Sequence, residues 1–253
     1  MVARWDTYVC EVEDAPASIL VDLEAGEDEE RRMLPELVYL SVALASQDDS
    51  GFPTEDEFEN LSAVEDAAES AFDGIGGRYV GRCICAGHMD MFFYLPAESV
   101  WRERAEQALA QSSYEWEGGS QDDPEWSLYQ DFLYPDEVTF ALLENRRACT
   151  ELGLMGDDIS LSRPVEHWAE FGDEESMKPF IAAVEAMGYH ADADANGDEA
   201  PGQIYEVRFS RPAVPDTLES AIPELVDMCR AHKGRYLGWS CAVCGEGENE
   251  ENK

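Results

Sequence analysis

Lysine is scarce in this sequence: of the 17 basic residues only three are lysine (Lys178, Lys233 and Lys253), set against 56 acidic residues for a formal charge of −39 over 253 residues. A field that negative repels phosphate backbones and anionic membrane surfaces, so no direct nucleic acid and no membrane are expected as partners. Long apolar runs are missing as well. No stretch approaches the roughly 20 residues needed to span a bilayer, and the opening MVARWDTYVCEVED has no signal-peptide core. A cytoplasmic location is therefore expected. Histidine is limited to four residues, His88, His167, His190 and His232, none within a recognisable nucleophile or zinc-hydrolase motif. Gly74-Ile-Gly76-Gly77 closes a helix where a phosphate loop would have to open one. With 56 carboxylates some pair always mimics an acid/base couple. No catalytic residue is assigned on that ground, and the chain is expected not to be an enzyme.

What is abundant is carboxylate. A dense acidic surface with little lysine fits adaptation to a high-salt, halophilic cytoplasm, where screening removes most self-repulsion; it also fits a surface built for a basic partner. Seven cysteines, an odd number in a chain this long, are not spaced like a small secreted framework, and reduced thiols are expected. Cys241-Ala-Val-Cys244 has the spacing of half a zinc site or a redox pair, with Cys83-Ile-Cys85 as a candidate complement. Both sulfurs of a C-x-C strand point to one side and can pack in a core, so the expectation is structural thiols and no metal or cofactor. Asp192-Ala-Asp194-Ala-Asn196-Gly197 begins like a calcium loop. Its twelfth position is Gln203 where a bidentate Glu is needed, and a polar hairpin loop is the better account.

Along the chain, residues 5–12 and 18–23 read as strands around a turn at Asp14-Ala-Pro16, and residues 34–45 as a longer strand. Thr54 and Glu57 have capping-box form, opening a helix with Phe58, Leu61, Val64, Ala68 and Phe72 on one face. A hairpin (78–86 and 89–95) and a helix (98–111) follow. Residues 117–135, rich in Gly, Asp, Pro and aromatics, read as a linker whose Trp126, Tyr129, Phe132 and Tyr134 pack onto a domain. The second half runs helix (137–152), strand (161–171), helix (176–187), strand (189–193), strand (203–210), helix (217–232) and strand (235–243). Pro179 is placed in the first turn of its helix, and Pro223, read as lying deeper in the last one, is expected to make a kink or an irregular first turn there.

The expected fold is α+β, two tandem α/β sandwiches. The C-terminal one is ferredoxin-like (β-α-β-β-α-β) with an antiparallel sheet, and the first half shows a similar order from residue 34 to about 116. The expected divisions are 1–117, a first α+β domain; 118–136, a linker packed on a domain; 137–245, the second sandwich; and 246–253, an acidic disordered tail.

Two groups of motifs reach beyond composition. Pro164-Val-Glu166-His167-Trp168, an acidic helix start, AAVEAMGY, a strand pair and a helix leading to Tyr236-Leu-Gly238-Trp239-Ser-Cys241 resemble the RraB family of ribonuclease E regulators over residues 157–244. The family's usual Asp after the Tyr is here Leu237, and the later Gly is Ser240. In the first half the opening W-x-x-Y, GFPTEDEFENL-x-x-VED, YVGR and DPEWSLYQDFLYP are similar to the domain of unknown function 695 (DUF695) family. The RraB resemblance implies a protein without enzymatic activity that binds ribonuclease E, remodels its complex and lowers its activity. It puts Glu166, His167, Tyr236, Gly238 and Trp239 on matching positions as partner-binding candidates; read from the residues alone, Tyr236 and Trp239 are also good sheet core and Gly238 a backbone requirement.

The leading expectation is a protein-binding regulator whose partner is a protein, a ribonuclease with a basic surface being the implied one. An immunity or antitoxin protein, and a zinc or thiol-redox protein using Cys241 and Cys244, are the alternatives.

Overall fold

Alternating apolar and polar residues build the opening hairpin, β1 (Trp5–Val12) and β2 (Ala15–Asp22), in a computed structural model that describes residues 3–194 and 204–244. Glu13 and Asp14 make its turn with φ of 51° and 65°, both in the left-handed region that a tight two-residue hairpin requires. The turn thus lies ahead of the one expected at Asp14 to Pro16, and Pro16 is a strand residue opposite Glu11. The chain divides into two units, Met1–Tyr134 and Pro135–Lys253. No helix among the described residues is long and apolar enough to cross a membrane. The expected tail at 246–253 and residues 195–203 of the calcium-like segment lie outside the described residues.

The first unit continues with α1 (Asp28–Met33), β3 (Glu36–Ala43), α2 (Glu55–Asp73), β4 (Arg78–Cys85), β5 (His88–Leu95), α3 (Trp101–Ala108) and β6 (Trp116–Asp122), then a π-helical turn, Tyr129–Leu133. Its six strands form one antiparallel sheet in the order β1-β2-β4-β5-β3-β6. Helices α2 and α3 lay Leu61, Val64, Ala68, Phe72, Trp101 and Ala105 on Val38, Leu40, Met91 and Phe93. Phe58, expected on that face, is 43% exposed; it lies under the Arg82 guanidinium. The capping box does not form. Thr54 makes no cap hydrogen bond, and the Glu57 carboxylate turns inward to accept from the Ala45 amide (2.7 Å) and the Ser46 hydroxyl (3.0 Å), tying the helix start to the end of β3.

Residues 118–136, expected as a linker packed on a domain, carry most of edge strand β6, paired with β3, and a segment that folds over the other face of the sheet. Trp126 is fully buried there, stacked on Tyr94 with ring centroids 3.9 Å apart and donating its indole N–H to the Leu34 carbonyl at 2.9 Å. Asp123 organises the turn by accepting from the Tyr94 hydroxyl (2.6 Å) and the amides of Ser127 (2.8 Å) and Leu128 (3.1 Å). Burial pushes its carboxyl up, and these donors outweigh that and hold it below the usual value.

The second unit holds α4 (Glu137–Leu154), β7 (Arg163–Phe171), α5 (Glu174–Ala186), β8 (His190–Asp194), β9 (Tyr205–Ala213), a 3-10 turn (Pro215–Ser220), α6 (Ile222–Ala231) and β10 (Gly234–Cys241). Four antiparallel strands lie in the order β10-β7-β9-β8. Asp173 caps α5 by accepting from the Ser176 amide, so this helix starts earlier than expected and Pro179 lies inside it. Pro223 occupies the first turn of α6, and the irregular start is the separate 3-10 turn before it.

The two units share one string, strand-helix-strand-strand-helix-strand, with the same neighbour relations: β4-β5-β3-β6 in the first and β8-β9-β7-β10 in the second. The protein is therefore mixed α/β with two antiparallel sheets.

The pentapeptides Gly77-Arg-Tyr-Val-Gly81 and Gly234-Arg-Tyr-Leu-Gly238 also perform one task. Each opens a strand and inserts a bulge, with the register shifting between Tyr79 and Gly81 and between Tyr236 and Gly238. Gly81 and Gly238 take φ of 151° and 128°.

Candidate functional site

Alternation along β7 sends Val165, His167, Ala169 and Phe171 into the core, each no more than 1% exposed, and leaves Glu166, Trp168 and Glu170 on the opposite, solvent-facing side. The bulge in β10 keeps the same division. Tyr236 opposes Ala169, Trp239 opposes His167 and Cys241 opposes Val165 on the core side, while Gly238 opposes Trp168 and Ser240 opposes Glu166 on the outer side. The five residues singled out from sequence therefore converge on two adjacent strands, but they do not share a face.

His167 is completely buried. Its ring stacks on Phe209 (5.3 Å, 19° between planes) and meets Tyr189 edge-on, and its Nδ1 lies 2.8 Å from the Tyr236 hydroxyl. Nε2 has no hydrogen-bond partner among the described residues. Burial first, and the Arg211 cation second, press the imidazole down to about 4. His167 is thus a neutral core residue, and Tyr236, whose hydroxyl burial pushes far upward, is its partner in the core.

Trp239 packs half-buried against the cluster of Val165, Leu218, Ile222 and Val226, and its indole donates to Asn145 Oδ1 on α4 at 3.0 Å. Of the five, Glu166 alone presents an exposed charged side chain, 43% accessible and 3.8 Å from Arg208.

The pH dependence of folding follows from His167. Between 6.5, its ordinary value, and about 4 the unfolded chain binds a proton that the folded chain does not. The contribution is whole above pH 6.5 and is lost as pH falls through that window, by about 3 kcal/mol at its foot. Denaturation midpoints measured from pH 7 to 4 should fall less steeply for His167→Gln than for the parent chain; equal slopes would mean that the imidazole titrates freely.

The thiols lie among packing groups. Burial pushes Cys83 and Cys229 up to about 12, and Cys10, Cys85, Cys149 and Cys241 also rise, burial again being the largest cause. The stretch around Cys241 and Cys244 is pinned by the buried ion pair of Arg163 and Asp157 (2.6 Å). Arg163 donates to the Ala242 carbonyl at 2.9 Å, and Asp157 accepts from the Cys244 amide at 2.6 Å. Among the described residues no three His, Cys, Asp or Glu side chains converge as a metal ion would need. Asp192 of the calcium-like segment lies in β8 and meets Arg208 at 3.5 Å.

Sequence reasoning passed over Trp168, Glu170 and Arg208, which share the outer face with Glu166. For the first two the signal was the i, i+2 alternation through 164–171, readable only once the buried parity is known, and Arg208 follows from its pairing on β9 with Trp168.

Two family models match the chain: "Family of unknown function (DUF695)" over residues 3–134 and "Regulator of ribonuclease activity B" (RraB) over residues 143–241. No curated protein matches it. Among solved structures, an unknown protein from Galdieria sulphuraria is 11% identical over 80% of this chain and 98% of its own, with a TM-score of 0.22. Protein BT0572 from Bacteroides thetaiotaomicron is 9% identical over 82% of this chain and 94% of its own, with a TM-score of 0.18. Scores this low support no fold assignment. By the match over its first unit the chain belongs to the DUF695 family, and its second unit carries a region that matches the RraB model.

Proposed function

We propose that this chain is a non-catalytic, cytoplasmic regulator that binds a ribonuclease of the E type through protein contact and lowers its activity. The observation that carries this reading is the match of residues 143–241 to the RraB model. The strand order and element string of the second unit fit a ferredoxin-like sandwich, a scaffold with helices on one sheet face and the other free for contact. On this reading Glu166 meets the partner directly, the His167–Tyr236 pair and Trp239 hold its strand in place, and Gly238 supplies the bulge. Residues 3–134 form a separate DUF695 domain and the expected 246–253 tail is an acidic extension.

Charge gives the mechanism. A chain of net charge −39 can occupy the basic surface on which a ribonuclease holds RNA, speeding encounter and excluding the substrate. Purified chain and ribonuclease E should form a complex by calorimetry, the complex should cleave a fluorogenic RNA more slowly than free enzyme, and affinity should fall as salt rises from 0.05 to about 0.5 M. No complex at any salt, or cleavage unchanged at saturating chain, would overturn the proposal; affinity flat across that range would remove the electrostatic part of it.

A further inference from the structure

The outer face of the second sheet has an unusual centre for so acidic a protein. Trp168 is half-buried on the solvent side of interior strand β7, with Gly238 directly opposite on β10, which offers no side chain to cover the indole, and Arg208 opposite on β9. Glu166 and Glu170 stand two residues to either side on the same face, about 7 Å along the strand in each direction. The second unit's helical core clusters draw Val165, Ala169 and Phe171 from the other side of this strand. The side chain of Glu166 is 43% and that of Glu170 26% accessible.

One of the chain's own cations here is loosely held: Arg208 is 52% exposed, 3.8 Å from Glu166 and 3.5 Å from Asp192, whereas Arg235 donates to Glu170 from both Nε and Nη2 at 2.8 Å. Exposed pairs like those of Arg208 contribute little to stability, so an incoming cation can replace them at Glu166 at small cost. Glu166, Glu170, Asp192 and Glu206, which stands opposite Glu170, against the guanidinium groups of Arg208 and Arg235 leave the face net negative, as is the whole chain. An indole face between two carboxylates suits a guanidinium or ammonium group, held by cation–π attraction and paired at either end.

We infer that this face, centred on Trp168 and flanked by Glu166 and Glu170, docks an arginine- or lysine-bearing segment of a partner protein. This deepens the regulator reading above and rests on it for the partner's biological identity, not for the chemistry of the face. The occupant is a basic polypeptide because a phosphate backbone or anionic bilayer would meet the same carboxylates as repulsion.

The test is fluorescence anisotropy of a fluorescein-labelled peptide of alternating arginine and glycine, titrated with the full chain at 0.15 M salt. The charge variant is Glu166→Gln/Glu170→Gln and the ring variant is Trp168→Leu. The control, Glu55→Gln/Glu59→Gln on exposed positions of α2, removes equal charge from the first unit. Each sheet-face variant is expected to weaken binding about five-fold with an unchanged melting temperature, and the control less than about two-fold. Equal losses in the charge variant and the control would reduce the effect to net charge and overturn the proposal, as would no loss in the charge variant. If Trp168→Leu fails to fold, the charge pair decides alone. Ribonuclease E binding measured on the same variants separates the two claims. Binding that persists in the charge variant sinks the docking face and spares the regulator reading; peptide docking without ribonuclease binding does the reverse.

Discussion

Replacing Trp126 by alanine is expected to destabilise the first unit by about 3–5 kcal/mol, the range for emptying a fully buried tryptophan site. The indole is 0% exposed and lies parallel to the Tyr94 ring, 6° between planes, with Tyr129 against its edge. It also supplies the N–H that the Leu34 carbonyl accepts. Alanine therefore removes packing and strands a buried acceptor together, which is why the effect should exceed that of an ordinary core truncation. Hydrogen exchange on the full chain checks it: the amides of β3 and β5 should lose protection in Trp126→Ala. Trp126→Phe, which keeps a ring against Tyr94 and drops only the Leu34 bond, should lose roughly half as much. Unchanged protection in the alanine variant would show that residues 123–134 do not hold that sheet face.

The second large effect separates two glycines that the sequence presents as twins. A Cβ on Gly81 would lie 2.3 Å from the Leu20 carbonyl oxygen on the neighbouring strand, at a φ of 151°. A Cβ on Gly238 would meet nothing within 4 Å, although its φ of 128° is also unfavourable for an L side chain. The difference follows from position. Strand β4 is flanked by β2 and β5, whereas β10 is an edge strand paired only with β7 among the described residues. Gly238→Ala should lose about 1–2 kcal/mol from backbone strain alone, and Gly81→Ala roughly 4 kcal/mol or more, because β2 must also move. Denaturant midpoints of the two variants measure this. Equal losses would mean that the bulge, and not the neighbouring strand, makes glycine necessary at both places.

Periodicity located most of the elements because burial follows it. Leu61, Val64, Ala68 and Phe72 do form one buried face, and the second half folds in the element order that its alternation suggested. What misled was local composition standing in for tertiary contact. Gly118 and Gly119 read as linker residues, yet they pair with Leu40 and Tyr39 in β6, where a Cβ on either would come within 2.8 Å of Leu40 or Tyr39. Glu57 looked like a capping partner, but its carboxylate accepts from the Ala45 amide, a contact made across the fold and invisible in local spacing. At the candidate site, motif resemblance singled out two strands that prove adjacent, through Glu166, His167, Tyr236, Gly238 and Trp239. It could not tell a buried imidazole from a contact residue, because face assignment depends on which parity meets α5 and α6, and no single strand carries that information.

Among the described residues of the second unit, its helices draw on one side of the sheet, which separates two kinds of evolutionary constraint along a single strand. Substitutions at 165, 167, 169 and 171 are judged by folding, while those at 166, 168 and 170 are released from that test. If the proposed docking holds, a lineage can retune its binding specificity by drift at every second codon, while the scaffold that displays those positions stays as it is.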